Sequence, residues 1–219
     1  MDANGARAKQ LARSYLDEGG FLAWFETLYA GSGGDASRIP WADLTVNPHF
    51  ASWVGQRPLQ GGGRRALVVG CGLGDDAEEL ARRGFAVTAF DISPTAIKWC
   101  RERFAESPVD YCVVDLLAAP ATWQGSFDFV FEAYTIQSLP ASLREAAIRR
   151  IADFVRPSGR LLVICRGRDP GPEPDGPPWP LTRTELSDFT TAGLREESFE
   201  DFWDNEEPPN RRFRVAYSR

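Results

Sequence analysis

From residue 66 onward the apolar positions alternate between short continuous runs and segments with helical spacing, the pattern of a parallel α/β sheet. ALVVG at 66–70 is apolar throughout, as a strand covered on both faces must be. Residues 75–83 then place Ala77, Leu80 and Ala81 on one helical face, with Gly84 positioned as the C-cap. FAVTAFD (85–91), VDYCVVD (109–115), FDFVFE (127–132) and RLLVIC (160–165) predict four further strands. A helix opens at an N-capping Ser93 with Pro94 at its first position, and a longer one runs from residue 140 and stops before Pro157 and Gly159. After the fifth strand, Thr182 and Glu185 form a capping box for one more helix, which ends at Gly193. Two strands follow around NEEPPN, and the alternation of Phe213, Val215 and Tyr217 gives the last of them one buried face. Ahead of the sheet, short amphipathic helices are expected around 6–17 and 21–29 and from NPHFASW. The fold expected is α/β: a Rossmann-like, doubly wound, mostly parallel seven-stranded sheet, with a C-terminal antiparallel hairpin and an N-terminal helical lid. Residues 1–219 are read as one domain, 1–60 as the helical cap and 66–219 as the Rossmann-like core.

Composition narrows the function. The net charge is −6, which argues against a broad nucleic-acid footprint. No apolar run approaches membrane-spanning length, so no membrane partner is expected. Four cysteines without a CxxC pair read as reduced thiols in a cytoplasmic protein, and a single histidine excludes a multi-histidine metal site. A monomer or weak homodimer is expected. The loop RGRDPGPEPDGPPWP holds six prolines in fifteen residues, and a compact domain rarely keeps so long a loop without a use for it.

The glycine loop VVGCGLGDD carries the candidate chemistry. A dinucleotide fingerprint has glycine at its third position, where this chain has Asp75, with Gly74 one residue early. A pyrophosphate on this helix N-terminus would meet Asp75 and Asp76, a repulsion that a dipole of about half a charge only partly offsets. A cationic ligand removes the conflict, and S-adenosylmethionine carries a sulfonium, an ammonium and no phosphate. The later strand ends agree. Asp91 closes the second strand, 21 residues beyond Gly70, placed to take both ribose hydroxyls. Asp115 closes the third, placed to accept from an adenine amino group, and Glu132 closes the fourth at the mouth of the crevice.

VVGCGLGDD, AFDIS, VVDLL, FDFVFEAY and the PSGRLLVI unit together resemble the successive motifs of class I S-adenosylmethionine-dependent methyltransferases. The segments WFETLYAGSGGDASRIPWADLTVNP, FEAYTIQSLPASLR and DGPPWPLTRTEL further resemble the thiopurine S-methyltransferase and halide/thiol methyltransferase group. Ala42 stands where that group often has an aspartate, with Asp43 one place on. The resemblance implies a cofactor site of Trp24, Trp41, Gly70, Gly72, Gly74, Asp75, Asp91, Ile92, Asp115, Leu116 and Glu132. It implies an acceptor site that draws on Tyr29, His49, Tyr134 and Trp179, with no catalytic residue assigned. Aromatic faces attract a desolvated sulfonium by up to ~2 kcal/mol or more.

A thiol with a pKa near ~8.5 needs little help to ionise, whereas a hydroxyl needs a dedicated base. Bases are scarce in this chain, so a thiol or another soft nucleophile is the expected acceptor. The alternatives are an O- or N-methyltransferase of a small metabolite, a dehydrogenase, and a non-catalytic cofactor-binding protein.

Overall fold

The computed structural model describes residues 3–17 and 20–219. Seven strands lie in the order β3-β2-β1-β4-β5-β8-β7. They are β1 (Arg65–Val69), β2 (Ala86–Asp91), β3 (Asp110–Val113), β4 (Phe127–Ala133), β5 (Val155–Arg168), β7 (Arg195–Trp203) and β8 (Arg211–Ser218). The first five run parallel, and β8 is antiparallel to both β5 and β7. A two-residue strand, β6 (Leu181–Thr182), pairs with the end of β5 off this path. The chain pattern did not reveal it, because a two-residue ladder has no periodicity.

The alternation along β1 explains the two layers. Ala66 and Val68 turn toward α3 (Pro48–Gly55), α4 (Asp75–Arg82) and α5 (Pro94–Arg103), where Phe50, Leu80 and Ile97 pack. Leu67 and Val69 turn to the other face, toward α6 (Ala141–Phe154) and α7 (Arg183–Thr191). Burial on both sides makes the central strands apolar throughout rather than alternating. The capping box of Thr182 and Glu185 and the Ser93 cap on α5 both form as expected.

β5 begins at Val155, five residues before the expected RLLVIC run. Val155 pairs with Phe127, and the register then shifts before Arg160 meets Phe129. At that irregularity a Cβ on Gly159 would lie 2.8 Å from the Phe127 carbonyl oxygen, so a side chain has no room there.

Two N-terminal helices, α1 (Ala3–Asp17) and α2 (Ala23–Gly31), form a cap over the C-terminal ends of the parallel strands. Their apolar side chains build a third cluster, in which Trp24, Leu28 and Tyr29 pack with Leu73, Ala96 and Trp179. No helix among the described residues is long and apolar enough to cross a membrane.

Candidate active site

The strand order reverses direction between β1 and β4, and open α/β sheets bind ligands in the crevice at such a point. A cleft of about 820 Å³ lies there. Its floor is the glycine loop and the ends of β2, β3 and β4. Its roof comes from the cap, the 40–47 segment and the proline-rich loop.

Gly70, Gly72 and Gly74 all have positive φ, at 60°, 53° and 92°. Space is tightest at Gly70, where a Cβ would lie 2.2 Å from the Thr135 hydroxyl oxygen, and at Gly74, where it would meet the Tyr111 hydroxyl at 2.5 Å. The turn brings the Gly72 amide 3.0 Å from Asp91 Oδ2, to which it donates, while Oδ1 accepts from the Ser93 amide at 2.9 Å. Burial raises the Asp91 carboxyl to about 6, although these amide donors favour its charged form. Asp115 accepts from the Leu117 amide at 2.8 Å, and Asp115, Leu116 and Ile92 line the cleft.

The two aspartates after the loop part ways. Both oxygens of Asp75 are forked by the Arg103 guanidinium at 2.9 Å, so α5 supplies the counter-charge. Asp76 has no such cation. Its Oδ1 accepts from the Asn47 amide at 2.8 Å, it lines the cleft, and burial lifts its carboxyl to about 7. Of the two acids after the glycine loop, Asp76 alone lacks a cationic side-chain partner among the described residues.

The cap is aromatic. Trp41 donates its indole N–H to the Tyr29 hydroxyl at 2.8 Å and meets the Trp24 ring edge-on at 5.7 Å. Trp24, Tyr29 and Trp41 all line the cleft, and the Trp24 indole N–H is buried without a hydrogen-bond partner among the described residues. Tyr134 closes the opposite wall with an unusual φ of 68°, and the Arg212 guanidinium lies 5.1 Å above its ring.

Three of the expected site residues lie elsewhere. Glu132 is fully buried behind the cleft wall, where Oε1 accepts from the amides of Thr135 at 2.7 Å and Ile136 at 3.0 Å. Through Oε1 it braces the turn after β4, while Oε2 is buried without a hydrogen-bond partner among the described residues. His49 sits in a separate hollow with Ser52 and Glu200, its ring against Phe202 at 5.3 Å. Trp179 is buried against Phe21 at 5.9 Å, under the Arg144 guanidinium. Its neighbours Pro177 and Pro178 reach the cleft, but the ring does not.

Conversely, the cleft takes in Cys71, Asn47, Asp76, Gln137, Arg166 and Arg212, which sequence reasoning did not assign. Asn47 stood in the N-terminal segment already expected to form the cap. Arg212 had no local signal, because only the pairing of β8 with β5 brings it to the site.

Residues 66–159 match a family described as methyltransferase domain. The ubiquinone biosynthesis O-methyltransferase of Xanthomonas axonopodis pv. citri is 36% identical over 127 residues, 57% of this chain and 52% of that protein. The chain thus spans about half the length of such relatives. Among solved structures, the Burkholderia thailandensis 1,6-didemethyltoxoflavin-N1-methyltransferase, bound to its substrate and S-adenosylhomocysteine, superposes with a TM-score of 0.70. It is 16% identical, over 89% of this chain and 87% of that one. A structure from work on the conversion of a disulfide bond into a thioacetal group during echinomycin biosynthesis gives 0.71 at 23% identity, covering 89% and 92%. This is the class I, S-adenosylmethionine-dependent methyltransferase fold. The cleft sits where that fold's parallel strands end, under the cap of α1 and α2.

Proposed function

We propose that the chain is an S-adenosylmethionine-dependent methyltransferase of a small molecule, with sulfur as the acceptor atom. The observation that carries the cofactor is the union of Asp91, Asp76 and Trp24 around one glycine turn. Asp91 would accept from the ribose hydroxyls and Asp115 from the adenine amino group. Asp76 would receive the ammonium, and the orphaned Trp24 N–H fits a carboxylate oxygen. When bound, this cofactor supplies an electrophilic methyl group on a sulfonium, open to one in-line displacement. The chain's own residues contribute position, an effect that reaches roughly 7–11 kcal/mol in well-oriented reactions. The aromatic cap excludes water and presents ring faces to positive charge.

The sulfur reading rests on what the cleft offers as a base. His49 lies outside it, and Asp76 is committed to a cation in this scheme. Tyr134 is pushed upward by burial and stays protonated near neutral pH. A thiol ionises on its own at the pH where these groups are of no use. An oxygen acceptor is the second reading, favoured by the name of the relatives at 36% identity and by a carboxyl at about 7 facing the cleft. Turnover on matched thiols, phenols and amines decides between them. Phenols methylated well ahead of any thiol would replace sulfur by oxygen and leave the cofactor site standing.

A further inference from the structure

Arg166 and Arg212 face each other as directly paired residues of the antiparallel strands β5 and β8, and both line the cleft. Like charges so placed repel. For Arg212 the conflict is settled within the protein. Its Nε donates to Asp204 at 2.6 Å and its Nη2 to Glu206 at 2.7 Å. Arg166 feels Glu206 and Asp204 at a distance but has neither as a direct partner. Its backbone amide donates to Gln137 Oε1 at 2.5 Å, but its guanidinium makes no hydrogen bond and no ion pair among the described residues. It is half-buried, and the enclosure and the charge of Arg212 both press its pKa down without removing a charge that arginine keeps. A half-enclosed cation with five unused donors is an unfavourable arrangement unless something else completes it.

We propose that Arg166 anchors a carboxylate carried by the methyl acceptor. The inference rests on the methyltransferase reading above and names the class of molecule that site accepts. The planar fork of a guanidinium matches a carboxylate in a two-point contact. A monoanion suits the surroundings better than a phosphate dianion, because Glu206 and Glu207 line the same cleft and Asp204 is the ion partner of Arg212. Gln137 fixes the backbone of Arg166, and Tyr134 forms the wall beside it. The carboxylate would therefore hold the far end of the acceptor while its nucleophile points toward the glycine turn.

Calorimetric titration of the S-adenosylhomocysteine-loaded protein tests this with two matched pairs: 3-mercaptopropionate and its methyl ester, and 4-hydroxybenzoate and its methyl ester. In at least one pair the acid should bind the native protein tenfold or more tightly than the ester. Arg166→Met should bring acid and ester to the same affinity, and Arg166→Lys should restore part of the preference. The melting temperature of the cofactor-free Arg166→Met protein supplies a second readout. Removing an unpaired charge from beside Arg212 should leave it unchanged or raise it, whereas an arginine with a structural role would lower it. Acids and esters that bind alike, a preference that survives Arg166→Met, no binding by either pair, or a marked fall in melting temperature would each overturn the anchor. Absence of S-adenosylhomocysteine binding to the native protein would instead remove the methyltransferase reading beneath it.

Discussion

Glu26 of α2 grips Thr95 of α5 with both carboxylate oxygens, Oε1 accepting from the Thr95 hydroxyl at 2.7 Å and Oε2 from its amide at 3.1 Å. Oε2 also accepts from the Ser93 hydroxyl at 2.6 Å. The cap is thus fastened two residues from Asp91 by a charged group at a helix N-terminus, where negative charge is favoured. Glu26→Ala should destabilise the protein by about 1–3 kcal/mol, since it removes charge-assisted hydrogen bonds. It should also weaken cofactor binding. A variant with native melting temperature and native affinity would show that the cap is held by its apolar contacts alone.

Asp91→Ala should weaken S-adenosylmethionine binding by about 1.5–3 kcal/mol, because two ribose hydroxyls lose a charged acceptor. The Gly72 amide loses its partner as well, so Asp91→Asn is the milder control. Unchanged affinity in a folded Asp91→Ala protein, measured by calorimetry, would remove this residue from the site.

The cofactor-free protein should lose stability as pH rises. Burial holds Asp76 and Glu132 at about 7 and Asp91 at about 6, all above the usual carboxyl values. The native state therefore keeps protons that the unfolded chain has released. The stability these groups add is complete below about pH 4 and is lost as pH climbs through 6 and 7. Glu26, Glu185 and Asp204 are held low and act in the opposite sense, but only in the acid range below their ordinary values. His49, held low by burial and by Arg212, opposes the trend below about 6.5. Thermal melts should show a lower melting temperature at pH 8 than at pH 5.5, with a shallower slope in Asp76→Asn. A rise over that interval would contradict the burial of these acids.

With a thiol acceptor, kcat/KM should climb toward the acceptor's own pKa near ~8.5 and then level off. His49→Ala should leave that inflection in place, because its ring packs on Phe202 outside the cleft. An inflection near ~6.5 that disappears in the variant would make the imidazole a base and redirect the acceptor toward oxygen or nitrogen.

What the chain pattern disclosed was mostly local. The apolar runs at 66–70 and 127–132 and the caps at Ser93 and Thr182 appear where the sequence placed them, because neighbouring residues specify them. Asp91 and the glycines come to the cleft wall by the same local order. Glu132 misled because a strand-end acid reads alike whether it faces a ligand or caps its own turn, and two backbone amides decide the matter. His49 misled because the helix that carries it touches the cleft at Asn47 and turns away one step later. Asp75 looked like Asp76 until α5 brought Arg103 across to neutralise it. That last distinction belongs to long-range pairing, on which residue order is silent.

The aromatic cluster under the cap carries an order of events within it. Phe21, Trp24 and Leu28 leave the ribosome early, yet Ala96 and Trp179, which cover them, are synthesised much later. Until the proline-rich loop exists, Phe21 lacks the Trp179 ring that lies 5.9 Å from it, and contacts separated so far in sequence form late because closing the intervening chain is entropically unfavourable. The sheet can assemble from its successive strand–helix units meanwhile. The nascent chain thus completes its floor before its roof, and the cleft gains its walls only in the closing stage of folding.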